Sequence, residues 1–68
     1  MELIKSANGK TLAIKIRVSD YREEIRRPSG SLMGFFSPKE GPEGKTHDAS
    51  GRVVGQGDQL ARFIPNDD

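Results

Sequence analysis

The chain has no cysteine and no tryptophan, one tyrosine and three phenylalanines. Each shortage excludes something. Without cysteine there is no disulfide framework and no thiolate metal site. No apolar run approaches the ~20 residues of a membrane-spanning helix, and the opening Met1-Glu2-Leu3-Ile4-Lys5 lacks the basic-then-apolar layout of a secretory signal. The expectation is a cytoplasmic protein with no membrane partner. Eleven Lys and Arg against ten Asp and Glu leave a net charge of +1, far from the basic excess that marks most nucleic-acid binders. That charge is unevenly spread: residues 1–27 carry +3 and residues 28–68 carry −2, an asymmetry that suits head-to-tail association as well as no function at all. At 68 residues the chain is one domain. Domains of this size bury only about 60% of their unfolded surface, so stability is marginal without staples or a partner.

What is present is a repeat. Ser6-Ala7-Asn8-Gly9-Lys10-Thr11-Leu12-Ala13, Arg27-Pro28-Ser29-Gly30-Ser31-Leu32-Met33-Gly34 and Asp48-Ala49-Ser50-Gly51-Arg52-Val53-Val54-Gly55 align with their glycines at 9, 30 and 51, a spacing of 21 both times. In each, a polar residue precedes Gly, one polar position follows, then two that are apolar or Thr, then Ala or Gly. Such periods mark units that cannot bury an apolar face alone. Asp or Ser first, Pro second and Gly fourth are type I turn preferences, and a left-handed Gly after such a turn makes the three-residue hairpin tip with a G1 bulge. The reading is therefore a single domain over 1–68 of three hairpin units of about 21 residues, with tips at 6–9, 27–30 and 48–51. The alternative is three unrelated polar loops.

Residues 12–18 are the clearest strand: Leu12, Ile14, Ile16 and Val18 alternate with Ala13, Lys15 and Arg17, the pattern of a sheet with one buried face. A three-residue tip sets Ile4 opposite Leu12 and Glu2 opposite Ile14. A two-residue tip sets Leu3 opposite Ile14 and Lys5 opposite Leu12. Over residues 19–27 the signals conflict. Ser19 or Asp20 as N-cap, Glu23 and Glu24 in a first turn and Pro28 as a stop suggest a helix, whereas the repeat makes the same residues an incoming strand, which is the reading adopted. The outgoing strand, residues 31–36, is apolar enough for burial on both faces. Residues 37–45, with Pro38, Gly41, Pro42 and Gly44, are expected to be a flexible loop. Asp58 caps a short turn carrying Leu60, Phe63 and Ile64 on one side, and residues 65–68 form a tail. The fold class is all-β: three antiparallel hairpins, as a β-meander or small open barrel, with a short C-terminal helical turn.

Candidate sites are few. His47 beside Asp48 invites acid-base or metal chemistry, but neighbours in a strand point to opposite faces, so the pair does not converge on one substrate. His47 reads as an aromatic cross-strand residue, and Asp48 as a turn former that pairs across the tip with Arg52. Lys15, Arg17, Arg22, Arg26 and Arg27 would form a basic sheet face if they pointed together, with Tyr21, Phe35 or Phe36 for base stacking. Ordinary solvated strand positions are the simpler reading. No phosphate cradle, catalytic constellation or cofactor motif is visible, so neither an enzyme nor a small-molecule substrate is expected.

Phe36-Ser37-Pro38, a loop, Thr46-His47-Asp48 and then Gly51-Arg52-Val53-Val54-Gly55-Gln56-Gly57-Asp58-Gln59-Leu60 resemble the last unit of a group of small bacterial β-hairpin-repeat proteins. Those read Tyr-Asp-Pro, a loop, Thr-Tyr-Asp, two variable residues and Gly-Arg-x-Val-Gly-x-Gly-Asn-x-Leu. The departures are Phe36 and His47 for Tyr, Ser37 for Asp and Asp58 for Asn. The unit is also similar to the YD repeats of bacterial toxin shells, where it marks a hairpin. The resemblance implies stacked hairpins and a bacterial origin, with no catalytic residue to carry over. The function expected is a non-catalytic structural or protein-interaction module, self-associating as a homodimer, with exchange of a hairpin across residues 37–45 as one route. The alternative is nucleic-acid binding through the five basic residues named above. For the dimer, Leu12, Ile14, Ile16, Leu32, Phe35 and Val53 are expected to stay wet in a single copy.

Overall fold

The computed structural model describes residues 1–65; of the tail expected at 65–68, all but Pro65 lies outside the described residues. Six strands, β1 (Glu2–Lys5), β2 (Thr11–Ser19), β3 (Arg22–Arg26), β4 (Leu32–Ser37), β5 (Lys45–Asp48) and β6 (Val53–Gln56), are followed by a 3-10 helix, Leu60–Phe63. Every neighbouring pair is antiparallel and the order is β1 to β6. The sheet is an open meander. Residues 22–26 are strand, not helix.

The repeated stretches form matching turns. Gly9, Gly30 and Gly51 donate their N–H to the carbonyls of Ser6, Arg27 and Asp48 at 3.0, 2.8 and 3.0 Å. The N–H groups of those three residues bond to Lys10, Ser31 and Arg52 at 2.8, 2.8 and 2.9 Å. The three glycines have φ of 89°, 100° and 93°, the left-handed region in which a Cβ clashes with the backbone. The match extends further. Three residues beyond each glycine the register shifts by one, leaving Leu12, Met33 and Val54 without a direct partner. This second bulge explains why neither register derived from turn length is complete. The tip holds three residues, yet Leu3 faces Ile14, Ile4 faces Ala13 and Lys5 faces Thr11, because Leu12 is the extra residue.

After each bulge comes the small residue of the repeat. Ala13 is fully buried. A Cβ on Gly34 would lie 2.5 Å from the Phe63 ring and 2.7 Å from the His47 carbonyl, and one on Gly55 would run into the Gln59 side chain. The missing bulk lets the C-terminal segment lie directly on the sheet. Thr46, fully buried, fastens it: Oγ1 donates to the Gly57 carbonyl at 2.7 Å and accepts the Gln59 N–H at 2.9 Å. Asp58 accepts the Leu60 N–H at 3.1 Å. Ala13, Ile25 and Leu60 form the core, with Ile4, Met33, Phe36, Phe63 and Ile64 packed around them.

This cover reverses one expectation about β2. Alternation separates two faces without saying which is buried, and the buried one carries Ala13 and Lys15, not Ile14, Ile16 and Val18. The apolar set of residues 12–18 is half-buried or exposed on the far side, except Leu12, which the bulge turns towards the Phe63 cleft. Strand β4 is likewise not buried on both faces: Phe36 joins the core while Leu32 and Phe35 are half-buried. The long strand β2 is interior. The edges are β1 and β6, four residues each, and short edges limit unwanted pairing. Along β6, Arg62 donates to the Val54 carbonyl at 2.9 Å and Gln59 to that of Gln56 at 2.8 Å. No helix among the described residues is long and apolar enough to cross a membrane.

Candidate functional site: the uncovered sheet face

The pairing registers place two rows of side chains on the face opposite the 3-10 helix. One runs Ile16, Glu24, Phe35, His47, Val53 across β2 to β6. The other runs Leu3, Ile14, Arg26, Leu32 across β1 to β4. Directly opposed residues share a face and touch. Among the described residues no strand or helix covers these rows, and Leu3 and Val53 are about half exposed, at 50% and 46%.

Arg22, Glu24 and Arg26 lie two residues apart on β3, so all three project from this face. Glu24 is buried, and its carboxylate accepts from Arg22 Nε at 2.7 Å and from Arg26 Nε and Nη2 at 2.9 and 2.7 Å. Burial raises the Glu24 pKa, but hydrogen bonds and charge from Arg26 and Arg22 outweigh it and hold the group below the usual carboxylate range. The Arg22 guanidinium also lies 3.9 Å over the Phe35 ring, a cation–π contact. From the other side of β4, His47 stacks on Phe35 with ring centres 4.7 Å apart and planes inclined by 11°. The centre of the uncovered face is therefore a layered unit of guanidinium, phenyl and imidazole.

His47 has acceptors at both nitrogens: the Gly51 carbonyl 3.0 Å from Nδ1 and the Glu40 carboxylate 2.8 Å from Nε2. Neither partner can donate, so both bonds form only when the imidazole carries two protons. Burial alone lowers the His47 pKa, and Lys45 opposes the charge as well. The Gly51 and Glu40 bonds and the Glu40 charge prevail, and the net shift is upward. Glu40 belongs to the loop expected to be mobile, residues 37–45, and this bond ties the loop to β5.

Asp48 points to the other face. Its carboxylate accepts from the Ser50 N–H and Oγ and from the Arg52 N–H at 3.0, 2.6 and 3.0 Å, which with the Arg52 charge lowers its pKa, the Ser50 hydroxyl contributing most. The expected side-chain pair with Arg52 is thus replaced by bonds to the backbone and to Ser50. A free Asx-type carboxylate folds the tip back on itself more closely than a long Arg could.

The five basic residues proposed as one face do not share one. Lys15 projects from the covered side, 3.5 Å from Glu23 and 3.9 Å from Asp58. Arg17, on the same side, pairs with Asp20 at 3.3 Å. Arg22 and Arg26 clamp Glu24 on the uncovered side, and Arg27 lies in a hairpin tip, 3.3 Å from Ser31 Oγ. The reason is parity: residues 15 and 17 fall on one side of the sheet while residues 22 and 26 fall on the other. The clamp itself was legible as Arg-x-Glu-x-Arg at period two. The Glu40 contact was not, since it depends on how a loop returns.

Chemically, Glu24 has its oxygens committed to arginines and His47 has both nitrogens committed to acceptors, so neither is poised to take a proton from a substrate. Among the described residues no group of three or more His, Asp or Glu side chains could hold a metal ion. No family model, curated protein or solved structure matches this chain.

Proposed function

We propose that the protein is a non-catalytic interaction module that associates with a second copy of itself through the uncovered sheet face. The observation that carries this reading is the pair of rows over which no strand or helix lies among the described residues: Leu3, Ile14, Ile16, Leu32, Phe35 and Val53 surround an Arg22–Glu24–Arg26 clamp that keeps a single net positive charge. Apolar residues left exposed together on one face mark contact sites, and covering a half-exposed aliphatic side chain contributes on the order of 1 kcal/mol. A two-fold axis through such a face brings identical apolar rows together, which is the commonest closed arrangement. The clamp suits this role because its one carboxylate is already hydrogen-bonded by both arginines before a partner arrives. Exchange of the third hairpin across residues 37–45 is a second geometry for the same dimer; the Glu40–His47 bond would then be remade between copies. Dispersal of the basic residues over both faces favours association over nucleic-acid binding.

Sedimentation equilibrium at micromolar concentrations tests the proposal. The expected result is a dimer mass and a melting temperature that rises with concentration, both abolished by Ile16→Lys in a chain that keeps its sheet signal. A folded species at monomer mass with a concentration-independent melting temperature would rule the reading out.

A further inference from the structure

On the opposite side of the sheet, the tips of the first two hairpins and the C-terminal segment border an open cleft of about 480 Å³. Its walls include Leu12 and Met33, the bulge residues of the first two repeats, with Phe63 and Pro65, and its rim carries Lys10 and Arg27. We propose that this cleft binds a small amphipathic carboxylate, with its apolar chain between Leu12, Met33 and Phe63 and its carboxylate at Lys10 and Arg27.

Charge decides the class of occupant. The other cations of the neighbouring β2 and β3 strands already have acidic partners: Lys15 with Glu23 and Asp58, Arg17 with Asp20, Arg22 and Arg26 with Glu24. Lys10 and Arg27 make no ion pair among the described residues, and Arg27 reaches only the Ser31 hydroxyl. Two cations without an acidic partner among the described residues, beside an apolar floor, complement an anion that carries a hydrocarbon body, and the volume is that of a small-molecule site. The repeat builds the site. Each tip supplies, three residues past its glycine, an apolar bulge residue, so the two adjacent tips offer two apolar walls, and each adds one cation from a position of its own: Lys10 follows Gly9, whereas Arg27 opens the second turn. The third tip, which carries Asp48 at the position of Arg27 and Arg52 at that of Lys10, does not line the cleft. Because the cleft lies on the covered side, this inference does not depend on the association proposed above.

The test is a titration of the full chain with octanoate, followed by calorimetry and by the methyl signal of Met33, with acetate and 1-octanol as controls. Saturable octanoate binding is expected, with a shifted Met33 methyl. Acetate should not bind, and affinity should be about tenfold weaker for 1-octanol and for the Lys10→Gln/Arg27→Gln double variant, the scale of one lost charge-assisted hydrogen bond. Both side chains are exposed. Should the double variant unfold, Lys10→Gln alone carries the test, with a loss of about threefold expected. Three results would overturn the proposal: no saturation by octanoate, undiminished affinity in the variants, or octanoate binding only after residues 66–68 are removed. The last would make the chain's own Asp67 and Asp68 the occupant.

Discussion

The two faces of the sheet solve the same problem by different means. One is covered by the chain itself, and the positions that permit it are small: Ala13, Gly34 and Gly55 leave room for Leu60, Phe63 and the Gln59 side chain. The other has no strand or helix over it among the described residues, and its centre is held by an ion clamp and a ring stack instead. The first is stabilised by close apolar packing, which tolerates no added volume. The second rests on hydrogen-bonded charges, which tolerate volume but respond to pH. A substitution thus belongs to one face or the other by the kind of damage it does.

The largest effect is expected on the covered face. Gly34→Val would force a Cβ against the Phe63 ring and the His47 carbonyl. The ring can swing away only by uncovering the core, and the carbonyl is held in the sheet. Overpacking of this kind costs about 1–3 kcal/mol, and here backbone is involved as well, so urea unfolding should show a loss at or beyond the top of that range. A variant within a few tenths of a kcal/mol of the wild type would show that the C-terminal segment does not rest on β4.

On the uncovered face, Glu24→Gln keeps the shape of the clamp and removes its charge. Both arginines are partly exposed, so water recovers some of the loss, and a cost of about 1–2 kcal/mol is expected. The pH dependence has a definite sign. The folded pKa of Glu24 is lowered, so its contribution is present above the unfolded value of about 4.3 and is lost as pH falls through the folded pKa. Acid unfolding of the wild type should therefore show a share that the Gln variant lacks. Identical acid profiles would mean that the clamp adds nothing to stability.

Much of this architecture can be read from the residues, and the failures have physical causes. The glycines at 9, 30 and 51 announce hairpin tips because only glycine takes that φ cheaply, and alternation in residues 12–18 announces a strand. Which face of that strand is buried is a different question. It depends on Leu60 and Phe63, some 50 residues away, finding the small positions at 13, 34 and 55, and the repeat displays those positions without saying what they are for. The clamp could have been found, since Arg22, Glu24 and Arg26 sit at strand period. Glu40 could not, because a loop with two prolines and two glycines between 38 and 44 gives no local sign of where its one useful carboxylate will land.

Strain and crowding can be separated at a tip. Gly51 has φ of 93°, and a Cβ added there would meet nothing within 4 Å. Gly51→Val therefore carries only the left-handed penalty, about 1–2 kcal/mol, in contrast to Gly34, where contact dominates. Thermal melts should show a loss for Gly51→Ala and a larger one for Gly51→Val, since a β-branched side chain is the poorer fit to a left-handed backbone. Melts unchanged by either substitution would show that the tip does not require the left-handed backbone.

The smallest effect is expected at His47, where the two faces' logics meet in one residue: its ring packs as an aromatic and its nitrogens act as charge. His47→Phe keeps the stack on Phe35 and removes the bonds to Gly51 and Glu40. The folded pKa is raised, so the contribution of the bonds is complete below the unfolded value of about 6.5 and fades as pH rises through the folded pKa. The wild type should therefore be the more stable protein near pH 5.5, by about 1 kcal/mol for the two bonds. Above pH 8 the gap should narrow, because a neutral imidazole keeps only one of the two bonds, while both rings retain the aromatic contact with Phe35, worth roughly 0.2–1 kcal/mol. Melting temperatures of the two proteins across pH 5 to 9 decide the matter. Parallel curves would mean that His47 contributes only its ring, and that the loop bearing Glu40 is held by something other than charge.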